Sequence, residues 1–155
     1  NESALRLAYL FLFTFVGAPC IYYGDEIGLK GGPDPACRGS FNWDMKSWNQ
    51  GLHGYVKDLV HLRNNEAALR RGSYQRIYAD KDVIVYARHF NTDDIFVAIN
   101  SSDKLQQPVI PTTKVGVETA ALSTLFGSAS ASVTGGKISD LQMEGRSGVV
   151  LKVQK

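Results

Sequence analysis

Between residues 65 and 74 the hydrophobic period of the chain changes, and this limits the folds open to it more than any other feature. Ahead of the change, Leu52, Tyr55, Val56, Leu59, Val60 and Leu62 approximate the i, i+3, i+4, i+7 stripe of an amphipathic helix, with Lys57, Asp58 and His61 largely off it. The pattern predicts a helix ending near Asn65, with Asn49 or Ser47 placed to accept from its first free amides. After the change, Tyr74, Arg76 and Tyr78 alternate with Gln75, Ile77 and Ala79, which is the period of a strand. About seven short β segments follow, at 74–79, 83–89, 95–100, 107–111, 122–126, 138–143 and 149–154, separated by turn residues such as those at 80–82, 91–94 and 135–136. Strands this short and this closely spaced predict an antiparallel sandwich. The small, polar run 127–132 reads as a flexible loop between two of them. The chain is therefore expected to be mostly β, with an α-containing portion over 1–68 and a β portion over 69–155.

Residues 4–16 are apolar apart from Arg6 and Thr14. Thirteen residues are too few for a bilayer, which needs roughly 20. No basic segment precedes the run and no small-residue cleavage site follows it, so it reads as a buried helix that Gly17 ends and Pro19 keeps from continuing. A helix apolar nearly all round needs neighbours on every side. Asn1 falls inside this helical pattern, so the chain is expected to be a piece of a longer protein, with self-association covering whatever its own residues leave exposed. The 17 basic and 15 acidic residues nearly balance, at a net charge of +2, and no basic cluster interleaves with aromatics, so neither nucleic acid nor a membrane is an expected partner.

The chemistry is concentrated from residue 19 to 43. A short apolar run, Pro19-Cys-Ile-Tyr-Tyr, changes at Gly24 into glycine, carboxylates and proline, as a buried strand does on surfacing into a loop. Ligands collect at such strand ends, which makes Tyr23, Asp25, Glu26, Asp34 and Arg38 candidate rim residues. The glycines at 24, 28, 31 and 32 fit neither G-x-G-x-x-G nor the P-loop, and two carboxylates beside them would repel a phosphate. Asp34 and Arg38, four residues apart, can both hydrogen-bond vicinal sugar hydroxyls; they can also form a local salt bridge that shapes the loop, and the two roles are compatible. Tyr22, Tyr23, Phe41, Trp43 and Trp48 offer apolar faces to a pyranose, although packing is the commoner role of such residues. Asp25 and Glu26, as neighbours at a strand end, point to opposite faces and do not make a pair of carboxyls facing one bond. Cys20 and Cys37 have no C-x-x-C partner and no metal-ligand spacing to His53, His61 or His89, so Cys20 is read as a small strand hydrophobe; no metal or cofactor is expected.

The order G-x-P-x-I-Y-Y-G-D-E-I-G-L, then G-G-x-D-P-x-C-R, then F-x-W-D, resembles the region around the eighth barrel strand of α-amylase-type glycoside hydrolases (family 13), and most of all the neopullulanase, cyclomaltodextrinase and maltogenic amylase branch. Leu62-Arg63 followed by 67–72 is similar to that family's last barrel helix and its exit into a β domain. The resemblance implies that 3–16 is the seventh helix of a (β/α)8 TIM barrel, 20–23 its eighth strand, and 69–155 the C-terminal β-sandwich. It places Asp34 and Arg38 at a donor-side glucose subsite, with Tyr23, Asp25 and Glu26 as supporting rim residues. It also implies that the nucleophile, the acid/base and the transition-state-stabilising carboxylate lie on earlier strands, whose motifs this chain lacks. The intact enzyme would act with retention on α-1,4 and some α-1,6 bonds of starch-derived oligosaccharides, pullulan or cyclodextrins, and the segment alone would be inactive. The competing reading is a stand-alone β-sandwich that binds carbohydrate or mediates assembly. It would need an exposed aromatic platform, and its candidates Tyr74, Tyr78, Tyr86 and Phe96 alternate into what reads as core.

Overall fold

The structure is a computed structural model and describes residues 1–154. Helix α1 spans Glu2–Thr14, opened by the Asn1 side chain accepting from the Ser3 amide at 3.1 Å and braced by the Glu2–Arg6 ion pair at 2.7 Å. Helix α2 spans Gln50–Asn65, and the expected cap is Asn49, whose Oδ1 accepts from the Leu52 amide at 2.9 Å. The short helix α3, Ala67–Arg71, follows after Glu66 alone, whose extended backbone ends one helix and begins the next. Gly72 then turns the chain into the sheet. A Cβ there would lie 2.3 Å from the Ala68 oxygen and 2.8 Å from the His89 oxygen, so only glycine fits.

Eight strands follow: β1 Ser73–Ala79, β2 Val83–Phe90, β3 Asp93–Asn100, β4 Ile110–Pro111, β5 Ala120–Phe126, β6 Ser132–Val133, β7 Lys137–Ile138 and β8 Ser147–Val153. Six form one antiparallel sheet in the order β1-β2-β3-β8-β5-β6, and β4 pairs with β7 as a separate two-stranded ribbon. All seven expected β segments contain strand or bridge residues, although 107–111 and 138–143 shrink to the ribbon plus an isolated bridge between Gln106 and Met143. Ser132, expected in a flexible loop, pairs with Ala121 and is held by the Asp140 carboxylate at 2.8 Å.

The sheet is buried on both faces, which is why its central strands are apolar at nearly every position. On one face Tyr86, Ile95, Val97, Ile99 and Val150 pack against Leu7, Leu10 and Phe13 of α1 and Leu52, Val56 and Leu59 of α2. On the other, Val85, Ala87, Phe96, Ala98, Val149 and Leu151 meet Ile110 of β4, Ile138 of β7, Leu141 and Met143. Burial at this scale is the main favourable term in such a fold, at about 1.5–3 kcal/mol for each large side chain. Close approach depends on Gly148 in β8, where a Cβ would sit 2.2 Å from Leu10 Cδ2 and 3.2 Å from the Ala98 oxygen.

Two expectations need correction. The strand predicted at 20–23 does not form, because a parallel strand exists only beside partners and no strand among the described residues lies along it. The helix at the N-terminus is not left bare: Leu7, Tyr9, Leu10, Phe13 and Thr14 are covered by α2 and by the sheet of the same chain, while Leu5, Phe11 and Val16 stay exposed.

A buried polar cluster sits where α1 ends. The Arg88 guanidinium from β2 donates to the carbonyls of Thr14 at 2.7 Å, Gly72 at 2.9 Å and Ser73 at 3.2 Å. Arg63 from α2 donates to those of Phe13 at 2.7 Å and Phe15 at 3.1 Å, and also to Gly17. Beside them the Tyr86 hydroxyl shares a 2.6 Å hydrogen bond with the Thr14 hydroxyl. Burial pushes the Tyr86 phenol up to about 12, and burial has the same effect on Tyr9 and Tyr55. These phenols stay protonated in the fold but ionise near 10 when it opens. Their stabilisation is therefore complete below about pH 10 and is lost as the pH rises towards 12, with Tyr86 accounting for about 3 kcal/mol. The alkaline unfolding midpoint of Tyr86→Phe is expected to lie higher, relative to its neutral-pH stability, than that of the wild type. Identical pH profiles above 10 in urea titrations would contradict this account.

Candidate substrate-contact loop

Residues 17–48 leave the C-terminal end of α1, run over the surface and return to α2. Gly17 starts the excursion at φ 98°. Gly24, at φ 86°, makes the sharp turn that the sequence marks; the Leu29 amide bonds back to its carbonyl at 2.9 Å, and a Cβ at Gly24 would lie 2.6 Å from Leu29 Cδ2. One 3-10 turn, Asp25–Ile27, follows and ends at Gly28, φ 73°. Ile27 is buried, and its carbonyl accepts from the Asn49 amide at 3.0 Å, which seats the turn on the start of α2. The 3-10 turn is thus seated by one buried apolar residue and one hydrogen bond.

Asp25 and Glu26 therefore lie on a 3-10 turn, not at the end of a strand. Asp25 is exposed, and its carboxyl is held above the usual range, first by burial and then by the charge of Glu26. Glu26 is half-buried, and its Oε2 is enclosed without a hydrogen-bond partner among the described residues. Tyr9 of α1 feels both charges in addition to its own burial.

Asp34 and Arg38 come together. A second 3-10 turn, Ala36–Arg38, brings the guanidinium to 2.5 Å from the Asp34 carboxylate, with both side chains about two-thirds exposed, at 66% and 61%. The only other polar neighbour among the described residues is the Cys37 thiol, 3.8 Å from Asp34. The salt bridge considered from the sequence thus exists. An exposed pair of this kind is worth about 0–1 kcal/mol and leaves the remaining donors and acceptors facing solvent.

The aromatics divide. Trp48 packs edge-on against Phe41 and His53 and donates from Nε1 to the Asn42 carbonyl at 2.8 Å. Tyr22, Tyr23 and Trp43 are exposed, Trp43 by 80%, which departs from the packing role expected of them. Cys20 and Cys37 are free, exposed thiols, so Cys20 is not the buried hydrophobe expected of a strand. Among the described residues no group of three or more His, Cys, Asp or Glu side chains is placed to hold a metal. In the β portion Tyr86 and Phe96 are fully buried, which removes two of the four aromatics proposed as a binding platform.

Residues 72–151 match the family described as the alpha-amylase C-terminal domain, and the chain belongs to that family. It is 42% identical over 109 residues to a cyclomaltodextrinase of Geobacillus thermopakistaniensis, a match covering 69% of this chain and 18% of the relative. It is 39% identical over 121 residues to neopullulanase 2 of Thermoactinomyces vulgaris, covering 77% of this chain and 21% of the relative. The debranching enzyme from Nostoc punctiforme superposes with a TM-score of 0.86 at 32% identity, over 97% of this chain and 31% of that one. The chain therefore spans about a fifth of the length of the cyclomaltodextrinase and the neopullulanase it matches.

Because Gly24 combines a left-handed backbone with contact against Leu29, Gly24→Ala is expected to release the turn from α2 while leaving the sheet intact. Limited proteolysis should then cut within 20–48 much faster, with the thermal midpoint nearly unchanged. Equal cleavage rates would show that the turn does not anchor the loop.

Proposed function

We propose that the chain is the C-terminal segment of a retaining glycoside hydrolase acting on α-1,4, and in part α-1,6, glucosidic bonds of starch-derived oligosaccharides, pullulan or cyclodextrins. Residues 1–68 close its (β/α)8 barrel and 69–155 form its stabilising β domain. The observation that carries the reading is the exposed Asp34–Arg38 pair, held on a loop whose base is fixed to α2 through Ile27. A planar guanidinium and a carboxylate side by side offer donors and acceptors at the spacing of vicinal hydroxyls, and their ion pair orients both before sugar arrives. The names of the relatives support an α-glucan as that sugar.

Retaining hydrolysis needs two carboxyl groups about 5 Å apart across the scissile bond. Asp25 and Glu26 are poor candidates, since adjacent residues of one turn do not face each other across a ring. The reacting carboxylates belong to the part of the enzyme outside these residues, and the segment alone has no hydrolytic activity. Tyr23, Asp25 and Glu26 shape the wall beside the sugar. In the isolated chain, Leu5, Phe11, Val16, Tyr22 and Tyr23 form the apolar surface through which it self-associates.

In the intact enzyme, Asp34→Ala and Arg38→Ala are each expected to lower kcat/KM on maltooligosaccharides by about 10- to 100-fold, the cost of one charged hydrogen bond to the sugar, with little change in the thermal midpoint. Unchanged kcat/KM in both variants would reduce the pair to a loop-shaping salt bridge.

A further inference from the structure

A groove of about 620 Å³ runs between the helical layer and the edge of the sheet, and no residue of the loop 17–48 lines it. Its size falls within the roughly 300–1,000 Å³ of small-ligand sites. We propose that it is a second binding site, for a neutral oligosaccharide, and specifically for an α-glucan chain held away from the Asp34–Arg38 pair. The choice of α-glucan rests on the function proposed above; the site itself rests on the geometry.

Leu7 of α1, Tyr55 of α2 and Phe126 of β5 supply apolar lining, with the Tyr55 and Phe126 rings edge to face at 5.2 Å. Above it stand Ser128, Ser130, Gln142 and Glu144, whose side chains make no hydrogen bond or ion pair with any other described residue. Two hydroxyls, an amide and a carboxylate over an apolar lining complement a pyranose, which has hydroxyls around its edge and C–H groups on its faces. The cations at the groove are already neutralised: Arg6 pairs with Glu2 at 2.7 Å and lies over the Tyr55 ring, and Arg146 pairs with Asp103 at 2.7 Å. With those charges satisfied and Glu144 without an ion-pair partner among the described residues, an anionic ligand is disfavoured.

The wall is fixed in place. Gly127 has φ 87°, and a Cβ there would lie 2.6 Å from the Gly148 oxygen, so the β5–β6 loop folds down onto β8. At the opposite end, Asn100 is fully buried and donates from Nδ2 to the carbonyls of Lys104 at 2.8 Å and Glu144 at 2.9 Å, while Asp103 and Arg146 clasp the same turn. A site with both ends braced loses little entropy on binding.

The test is a calorimetric titration of the 155-residue chain with maltoheptaose, comparing the wild type with Gln142→Ala, Ser128→Trp and the double variant Asp34→Ala/Arg38→Ala, each first shown to be folded by circular dichroism. Saturable binding is expected in the wild type; Gln142→Ala weakens its groove component about three- to tenfold and the indole of Ser128→Trp removes that component, while the double variant removes only what the loop contributes and keeps the groove component. Binding lost in the double variant but retained in both groove variants overturns the groove and leaves the proposed function standing. A folded wild type that does not bind maltoheptaose also overturns it, whatever the hydrolytic activity of the intact enzyme.

Discussion

Two buried guanidinium groups, each bonded only to backbone carbonyls, fix the junction on which the rest of the molecule depends. Arg63 and Arg88 have no carboxylate partner among the described residues. Their charges are compensated instead by the carbonyls at the C-terminal ends of α1 and α3, where the aligned peptide dipoles leave partial negative charge. Burial lowers the pKa of both, and each also feels the positive charge of a neighbouring arginine, Arg70 for Arg63 and Arg63 for Arg88. Both stay charged all the same, because a guanidinium starts so far above neutral pH. The arrangement joins three elements from distant parts of the sequence: the end of α1, the last turn of α2 and strand β2. It also satisfies carbonyls that would otherwise be buried without donors, at about 1–3 kcal/mol each.

From this junction the geometry of the loop follows. Arg63 holds the carbonyls of Phe15 and Gly17, so the point at which the chain leaves α1 is set by α2. The same helix receives the loop again through Asn49 and Ile27. An excursion of some thirty residues is therefore pinned at both ends to one rigid element, and the exposed Asp34–Arg38 pair is carried between those pins. The sheet contributes indirectly: its helix-facing side, with Gly148 beneath Leu10, determines how closely α1 can settle.

Most of the architecture was legible from periodicity, because burial dictates it. The stripe from Leu52 to Leu62 gave α2, with Asn49 one of two candidate caps, and the alternation after residue 73 gave the strands of the main sheet except β6, whose Ser132 was read as loop. The element at 20–23 was not recoverable in the same way: its composition reports a strand, but pairing is a property of neighbours, and the described residues supply none. The ribbon of β4 and β7 was overextended because apolar residues that cover a sheet face resemble those that form a strand. The arginine cluster escaped notice for a simpler reason. Arg63 lies beside Leu62 on the buried stripe and Arg88 continues the inward row begun by Ile84 and Tyr86, yet charge suggests solvent unless the position in the stripe is given more weight than the residue type. For the candidate site, Asp34 and Arg38 were readable as a motif and do meet, whereas the exposure of Trp43 and the enclosed Glu26 oxygen depend on loop geometry that no spacing encodes.

The helical layer and the sheet form one cooperative body joined at the arginine junction. Native-state amide hydrogen exchange tests this most directly, by comparing the opening free energies of Leu10 and Phe13 in α1 with those of Val97 in β3 and Val150 in β8. All four amides are expected to exchange only through global unfolding, with one free energy and one denaturant dependence. If the α1 amides instead exchange through a separate opening several kcal/mol below that of the sheet, the helix is only resting on the sheet, and the junction does not have the role assigned to it.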